Sequence, residues 1–277
     1  MKDDYEILKL RVLLCFLKND DDTCTVGGIS KTLSVMKQRV SRVLMDLEKE
    51  GWVDRSDTRH PFLTREGQKQ AKEYSDRILI SLNHLLFEGV SLEKAQQDAY
   101  HWALYNTDET MKVIKSAEAR YRAKYELRDR KEFNGSVLCK QLGDGVYPFN
   151  FVLYREHIKN GSNLSMANAG FEHPGHLVVK GGVGKVQLHA INIVANSPVT
   201  KKEMTGKVDQ LRYFDHGSFT PAEISGDVIT FPAEAITFVN IGEDINQMLH
   251  GSVCLRIRCS INPIHMPESV SIFNIII

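Results

Sequence analysis

Residues 25–67 read TVGGISKTLSVMKQRVSRVLMDLEKEGWVDRSDTRHPFLTREG. Within them Val40, Val43, Leu44 and Leu47 recur at i, i+3, i+4 and i+7, the spacing of one buried face of an α-helix. The spacing predicts a helix over about residues 36–50, stopped at Gly51. A shorter helix, about residues 26–33, precedes it across a tight turn at Leu33-Ser34-Val35. After Gly51, a strand-like Trp52-Val53, a polar tip over residues 54–60 and a return strand over 61–64 make a β-hairpin. This is the order of a helix-turn-helix followed by a wing. The face opposite the apolar stripe carries Lys37, Gln38, Arg39, Ser41 and Arg42. Such side chains reach base edges and phosphates when a helix lies in a major groove. Arg55 and Arg59 on the wing are placed to grip the flanking backbone or minor groove. A three-helix packing unit with a solvated basic face would carry the same charges. The recurrence of the whole order, and not one charged helix alone, favours DNA.

The chain has 277 residues, room for two or three domains. A hydrophobic fraction of 42% and a charged fraction of 25% are those of an ordinary globular protein. No run approaches the ~18 apolar residues of a membrane span. The acidic start MKDDYEILKL is not a signal-peptide pattern. Cys15, Cys24, Cys139, Cys254 and Cys259 include no C-x-x-C pair, so neither a disulfide framework nor a zinc ribbon is indicated. Together these features lead to the expectation of a cytoplasmic protein that does not engage a membrane. With 35 basic and 35 acidic residues the formal net charge is zero. Contact with DNA must therefore rest on a local patch and not on bulk charge.

Residues 4–18, DYEILKLRVLLCFLK, form a strongly apolar helix expected to pack beneath the helix-turn-helix. Asn19-Asp20-Asp21-Asp22 reads as a solvated loop with the wrong spacing for calcium. Beyond the wing, a helix over about residues 68–87 carries Ile78, Leu79, Leu82, Leu85 and Leu86. Ser91 is placed to cap the next helix, SLEKAQQDAYHWALY. Asn106, with Glu109 three residues on, is placed to cap DETMKVIKSAEARYRAKYEL. These helices have too little apolar surface to stand alone. They suit a dimerising layer with Leu79, Leu82, Leu86, Trp102 and Leu104 as interface or core residues. The Arg-, Lys- and Glu-rich residues 120–133 read as an exposed helix or a linker, with the domain boundary near Phe133-Asn134-Gly135.

Two segments here resemble the diphtheria toxin repressor and manganese transport regulator family. They are Leu63-Thr64-x-x-Gly67 and residues 97–109, QDAYHWALYNTDE. The resemblance covers roughly residues 1–117. It implies a dimeric winged-helix repressor whose DNA-competent shape is set by bound Fe(II) or Mn(II). At the family's metal-ligand positions, however, this chain has Tyr100, Ala103, Leu104, Ile78 and Leu82. None of these is an ordinary ligand for such an ion. Only Asp4 matches a family ligand, and His84 and His101 fall off the family positions. The family's metal switch is therefore expected to be erased here, with apolar packing in its place and no cofactor required.

From Ser136 the texture changes to short alternating runs over residues 149–154, 176–179, 186–194, 228–231, 236–241, 253–258 and 270–277. Gly, Asn and Pro separate them, which predicts a mostly antiparallel β domain. Residues 242–249 read as a short helix. Lys180-Gly-Gly-Val-Gly-Lys185 resembles the phosphate loop of a nucleotide-hydrolysing enzyme. Val186, however, stands where a Mg²⁺-binding hydroxyl is needed, and a strand follows in place of a helix. A glycine hairpin turn fits better. Glu172, His173, His176 and His189 could surround a relocated Mn or Fe ion, although loop histidines are more often unliganded. Residues 160–170, NGSNLSMANAG, either line a ligand pocket or form a surface loop.

The sequence thus predicts an α+β multidomain protein. A winged helix-turn-helix occupies residues 1–75, a helical dimerisation layer 76–133, and a mostly antiparallel β domain for sensing or partner contact 134–277. The expected function is a non-enzymatic, homodimeric regulator that binds a double-stranded DNA operator, with room for a small-molecule effector on the C-terminal domain. The alternatives are a metal-dependent repressor using the C-terminal histidines and a nucleotide hydrolase using the Lys180 loop.

Overall fold

The computed structural model describes residues 2–18, 24–159, 161–196, 203–243, 247–261, 264–265 and 268–277. The chain divides into two compact units, Met1–Glu118 and Ala119–Ile277. The first unit contains α1 (Lys2–Lys18), α2 (Val26–Leu33), α3 (Lys37–Lys49), the hairpin β1 (Val53–Asp54) and β2 (Phe62–Leu63), α4 (Arg65–Phe87), α5 (Leu92–Tyr105) and the start of α6 (Asp108–Glu126). The acidic run at 19–22 lies outside the described residues.

Each short element of this unit has a local cause. The Thr25 hydroxyl accepts from Gly28 N at 3.1 Å and starts α2. Ser34 ends it in the left-handed region at φ 56°, which turns the chain sharply into α3. Along α3, Val40, Val43, Leu44 and Leu47 are fully buried, as the 3.6-residue period requires. They pack with Leu8, Val12 and Leu13 of α1, Ile29 of α2, and Val53 and Leu63 of the hairpin. Further on, Ala95, Ala99 and Ala103 recur every four residues along α5 and are fully buried. Side chains this small let α5 lie close against its neighbour, where larger ones would hold it off. The cap expected at Asn106 falls one residue later. Asn106 closes α5, and Thr107 Oγ1 accepts from Thr110 N at 3.2 Å to open α6. Arg77 of α4 bonds to the Asn106 carbonyl and pairs with Asp108 at 3.0 Å, fixing this corner.

The expected boundary near Phe133 falls inside the second unit, because the division lies within α6. The residues around Phe133 are not a linker. They form β3 (Glu132–Asn134), and Asn134 then caps the short α7 (Gly135–Gln141). The remaining strands are β4 (Gly145–Lys159), β5 (Ser162–Leu164), β6 (Gly175–Lys180), β7 (Val183–His189), β8 (Ile193–Asn196), β9 (Glu203–Asp215) and β10 (Ser218–Pro221). After them come β11 (Glu223–Ser225), β12 (Val228–Pro232), β13 (Thr237–Ile241), β14 (Met248–Ile261), β15 (Ile264–His265) and β16 (Ser269–Ile276).

All the described pairings are antiparallel, in the order β10-β9-β14-β16-β4-β6-β7-β12-β11. β3 pairs with β13, and β13 with β14. The long β4 belongs to both halves. Gly145 to Phe149 pair with β6, and Asn150 to Arg155 pair with β16. The two halves meet through aromatic side chains. Phe231 of β12 lies 5.8 Å from Phe273 of β16 and 5.7 Å from Tyr213 of β9, ring centre to ring centre.

The strands depart from the sequence reading at further points. β9 escapes the alternation test because a bulge interrupts it: Arg258 pairs with Gln210 but Cys259 with Val208, leaving Asp209 extra. Residues 242–249 are not a helix where described, since Met248 and Leu249 already belong to β14; residues 244–246 lie outside the described set.

Candidate nucleic-acid interface

The N-terminal half of α3 is basic and unneutralised. Lys37, Gln38, Arg39 and Arg42 are exposed and Ser41 is half-buried. Lys37, Arg39 and Arg42 make no ion pair among the described residues. Met36, at the cap position, offers no side-chain acceptor to the first N–H groups of the helix. The positive end of the helix dipole thus lies at the same end of α3 as the basic side chains.

The acids at the other end of α3, Asp46, Glu48 and the following Glu50, each have a partner. Asp46 accepts from the Tyr5 hydroxyl and pairs with Lys49 at 2.9 Å. Glu48 pairs with Arg55 at 3.3 Å, and Glu50 pairs with Lys9. A chain with no net charge thus shows a cationic helix end, because the nearby carboxylates are tied to partners from α1 and the wing. The Tyr5 bond holds the Asp46 carboxyl below the usual carboxylate range, with Lys49 adding to it. Tyr5 itself is pushed up to about 12, first by burial and then by Asp46. The sign follows. The Asp46 contribution to stability is present above the ordinary carboxylate pKa and is lost as pH falls through the depressed value. The Tyr5 contribution is present below about 10 and is lost as pH rises towards about 12. Tyr5→Phe should therefore lower stability at neutral pH and flatten its fall between pH 10 and 12. Urea melts of the two proteins that ran parallel across that range would contradict this.

The wing places its two arginines differently. Arg59 is exposed at the tip. Two local turns order that tip: Asp54 Oδ1 accepts from Ser56 N, and Asp57 Oδ1 from Arg59 N, both at 2.8 Å. Arg55 is not the free cation expected from the sequence. Its side chain is only 12% exposed and turned to Glu48, with Nε buried and without a hydrogen-bond partner. Two exposed apolar residues, Met36 and Phe62, accompany the basic set. The sequence reading missed them, because an exposed side chain leaves no periodic signal.

Residues 6–61 match the MarR family. The segment over 97–109 that resembles the diphtheria toxin repressor family lies outside that match. No curated protein matches the chain. Among solved structures, the manganese regulator SloR is similar at 11% identity, covering 82% of this chain and 97% of that one, with a TM-score of 0.33. T. acidophilum IdeR is similar at 14% identity over 73% and 91%, with a TM-score of 0.30. The NEAT5 domain of IsdX2, a B. anthracis hemophore in complex with heme, is similar at 18% identity over 48% and 96%, with a TM-score of 0.29. Likenesses this slight say nothing about what this chain binds.

The other residues singled out in the sequence fall as follows. Leu79 and Leu86 are exposed on α4, while Leu82, Trp102 and Leu104 are half-buried. At the positions where the resembling family holds metal, Ala103 is fully buried, and Leu104 lines a narrow gap with Leu10, Leu13, Trp52 and Tyr74. Asp4 is exposed. Among the described residues no three His, Cys, Asp or Glu side chains converge as a metal site. In the β unit, His173 stacks on Phe151 at 4.0 Å, and His176 and His189 lie 6.4 Å apart, ring centre to ring centre. Glu172 is tied through its backbone N–H to the His189 carbonyl.

The glycine loop at 180–185 is a hairpin between β6 and β7. Gly181 and Gly182 take φ of 59° and 76°, the conformation a two-residue turn of this hand demands. The Gly181 N–H, which a phosphate would need, is already taken by the Asp144 carboxylate at 2.7 Å. Of the small polar run over 160–170, residue 160 lies outside the described residues, and side chains within 161–170 serve the fold. Asn168 Oδ1 accepts from Leu153 N at 2.9 Å, and the buried hydroxyls of Ser165 and Ser271 lie 3.0 Å apart. None of the five cysteines is in a disulfide. Among the described residues no helix is long and apolar enough to cross a membrane.

Proposed function

We propose that this protein is a non-enzymatic, DNA-binding transcriptional regulator that acts as a homodimer. In this reading α3 lies in the major groove, with Lys37, Gln38, Arg39, Ser41 and Arg42 on bases and phosphates, and Arg59 on the flanking backbone. The observation that carries it is the sorting of charge along α3. Its basic end is exposed and unpaired while its acids are neutralised, within a segment that matches the MarR family. The exposed Leu79 and Leu86 support the helices after the wing as the dimer contact, with Leu82, Trp102 and Leu104 beside or beneath it. The β unit is the sensing or partner-binding module.

DNA binding is further read as independent of Fe(II) or Mn(II) at the resembling family's site. A metal switch works by biasing two segments toward one geometry. Here Ala103 and Leu104 occupy those positions with apolar side chains that offer an ion no ligand, and among the described residues no three His, Cys, Asp or Glu side chains converge there. The test begins with an operator selected from random duplexes by the full chain. Its affinity is then measured with chelator and with added Mn(II) or Fe(II). Affinity should stay within about twofold across these conditions, and the salt slope should correspond to several phosphate contacts. A tens-fold loss with chelator, restored by metal, would overturn the metal-independent reading. Failure to enrich any duplex would overturn the regulator itself.

A further inference from the structure

The β unit contains a cavity of about 280 Å³ at the point where β4 passes from one half of the sheet to the other. Its volume is roughly twice the ~150 Å³ that accommodates a benzene ring in a protein core. Leu142, Phe149 and Leu177 form buried apolar walls. Pro148 and Pro174 add rigid rings that carry no N–H donor. The Tyr147 hydroxyl is already engaged, donating to the Gly143 carbonyl at 2.8 Å.

A cationic residue, Arg120, half-buried on α6, lines the cavity. It makes no ion pair or side-chain hydrogen bond among the described residues. One helical turn further, Lys124 is also half-buried and also without a carboxylate partner among them. Burial, and then the Arg120 charge, hold its ammonium below the usual lysine range. Arg120 thus lines the cavity without a carboxylate paired to it among the described residues, and Lys124 adds a second positive charge one turn along α6. An incoming anion on Arg120 would relieve that repulsion. A guanidinium fork suits a carboxylate, which it can hold through two parallel hydrogen bonds. Flat walls of proline, phenylalanine and tyrosine suit a rigid ring better than a flexible chain.

We propose that the β unit binds a small ring-containing organic monocarboxylate in this cavity, its apolar body between Phe149, Leu177 and the two prolines and its carboxylate on Arg120. This supplies a ligand class for the sensing role of the β unit and rests on that reading only for its consequence at the DNA, not for the binding itself.

The test is isothermal titration of the full chain, without DNA, using 2-naphthoate as probe and 2-naphthalenemethanol as its neutral counterpart. Naphthoate should saturate at one per chain with a dissociation constant below about 1 mM. The alcohol should bind at least about tenfold more weakly, a difference of about 1.4 kcal/mol. Arg120→Gln should erase that difference by weakening the acid alone. Ile276→Trp, which fills the cavity from its half-exposed rim, should abolish binding of both probes while the thermal melt stays cooperative. Absence of saturable naphthoate binding, equal affinity for the alcohol, or an unchanged naphthoate affinity in Arg120→Gln would each overturn the proposal. Titration of operator DNA is a separate arm: naphthoate binding with no enriched duplex would keep the ligand site and remove the regulator.

Discussion

Replacing Arg39 and Arg42 together by alanine should weaken binding to the selected operator by on the order of 3 kcal/mol, about a hundredfold or more. Both side chains are exposed on the free face of α3 and have no acid to neutralise them among the described residues. Whatever energy they contribute is therefore available to DNA and not already spent within the fold. Alanine is the best helix former, and exposed substitutions of this kind shift stability by only about 0.5 kcal/mol. The folded helix should survive, so the loss should appear in the titration of DNA and not in the circular dichroism. Arg59→Ala should act differently, weakening all duplexes alike and lowering the salt slope by about one. Arg55→Ala should leave the slope nearly unchanged, because that side chain is held by Glu48. If the double variant keeps wild-type affinity and a wild-type spectrum, α3 is not the recognition helix.

Gly67→Ala should be among the most damaging single changes in the first unit, costing about 3 kcal/mol or more. A methyl group on Gly67 would stand 1.8 Å from the Trp52 carbonyl oxygen and 2.7 Å from its carbon. Neither atom can yield cheaply. That same carbonyl accepts from Thr64 N at 3.0 Å, and Trp52 N donates to Leu47 O at 2.9 Å. The Thr64 hydroxyl caps α4 by accepting from Gly67 N at 3.0 Å, and itself donates to Gly51 O at 2.6 Å. One added carbon therefore pries apart the end of α3, the wing and the start of α4 at once. Gly51→Ala is the control. There the cost is a φ of +75° with nothing within 4 Å of the new methyl, about 1 kcal/mol. Both tryptophans, Trp52 and Trp102, lie in the first unit, so tryptophan fluorescence reads that unit alone. Gly67→Ala should lower its urea midpoint by about 1–2 M. A shift no larger than that of Gly51→Ala would show that the junction gives way without cost.

The Thr64-x-x-Gly67 pair marks where sequence stops being informative. As letters it is a resemblance to a family of repressors. As structure it is a cap and a close backbone approach, and the residue that makes glycine necessary is Trp52. α3 was fully legible because its signal is local. The period of Val40, Val43, Leu44 and Leu47 sets both which face is buried and, by exclusion, which face presents Lys37, Arg39 and Arg42. The strands β4, β6, β7, β12, β13, β14 and β16 were legible for the same reason; β9 was not, because the extra Asp209 breaks its period, and β3, β5, β10 and β11 are too short to show one.

Tertiary structure alone decided the electrostatics. A formal charge of zero leaves the basic helix end ambiguous until Tyr5 and Lys9, each 41 residues distant from its partner, are found on Asp46 and Glu50. It decided that Arg55 faces inward and Arg59 outward, because hairpin tips fold by local side-chain bonds that composition does not rank. It also assembled Arg120, Phe149, Leu177 and Ile276 around one cavity. These residues lie on α6, β4, β6 and β16, and no spacing within any one element relates them. Sequence determines the faces of single elements through their period; which faces and charges meet depends on how the elements pack.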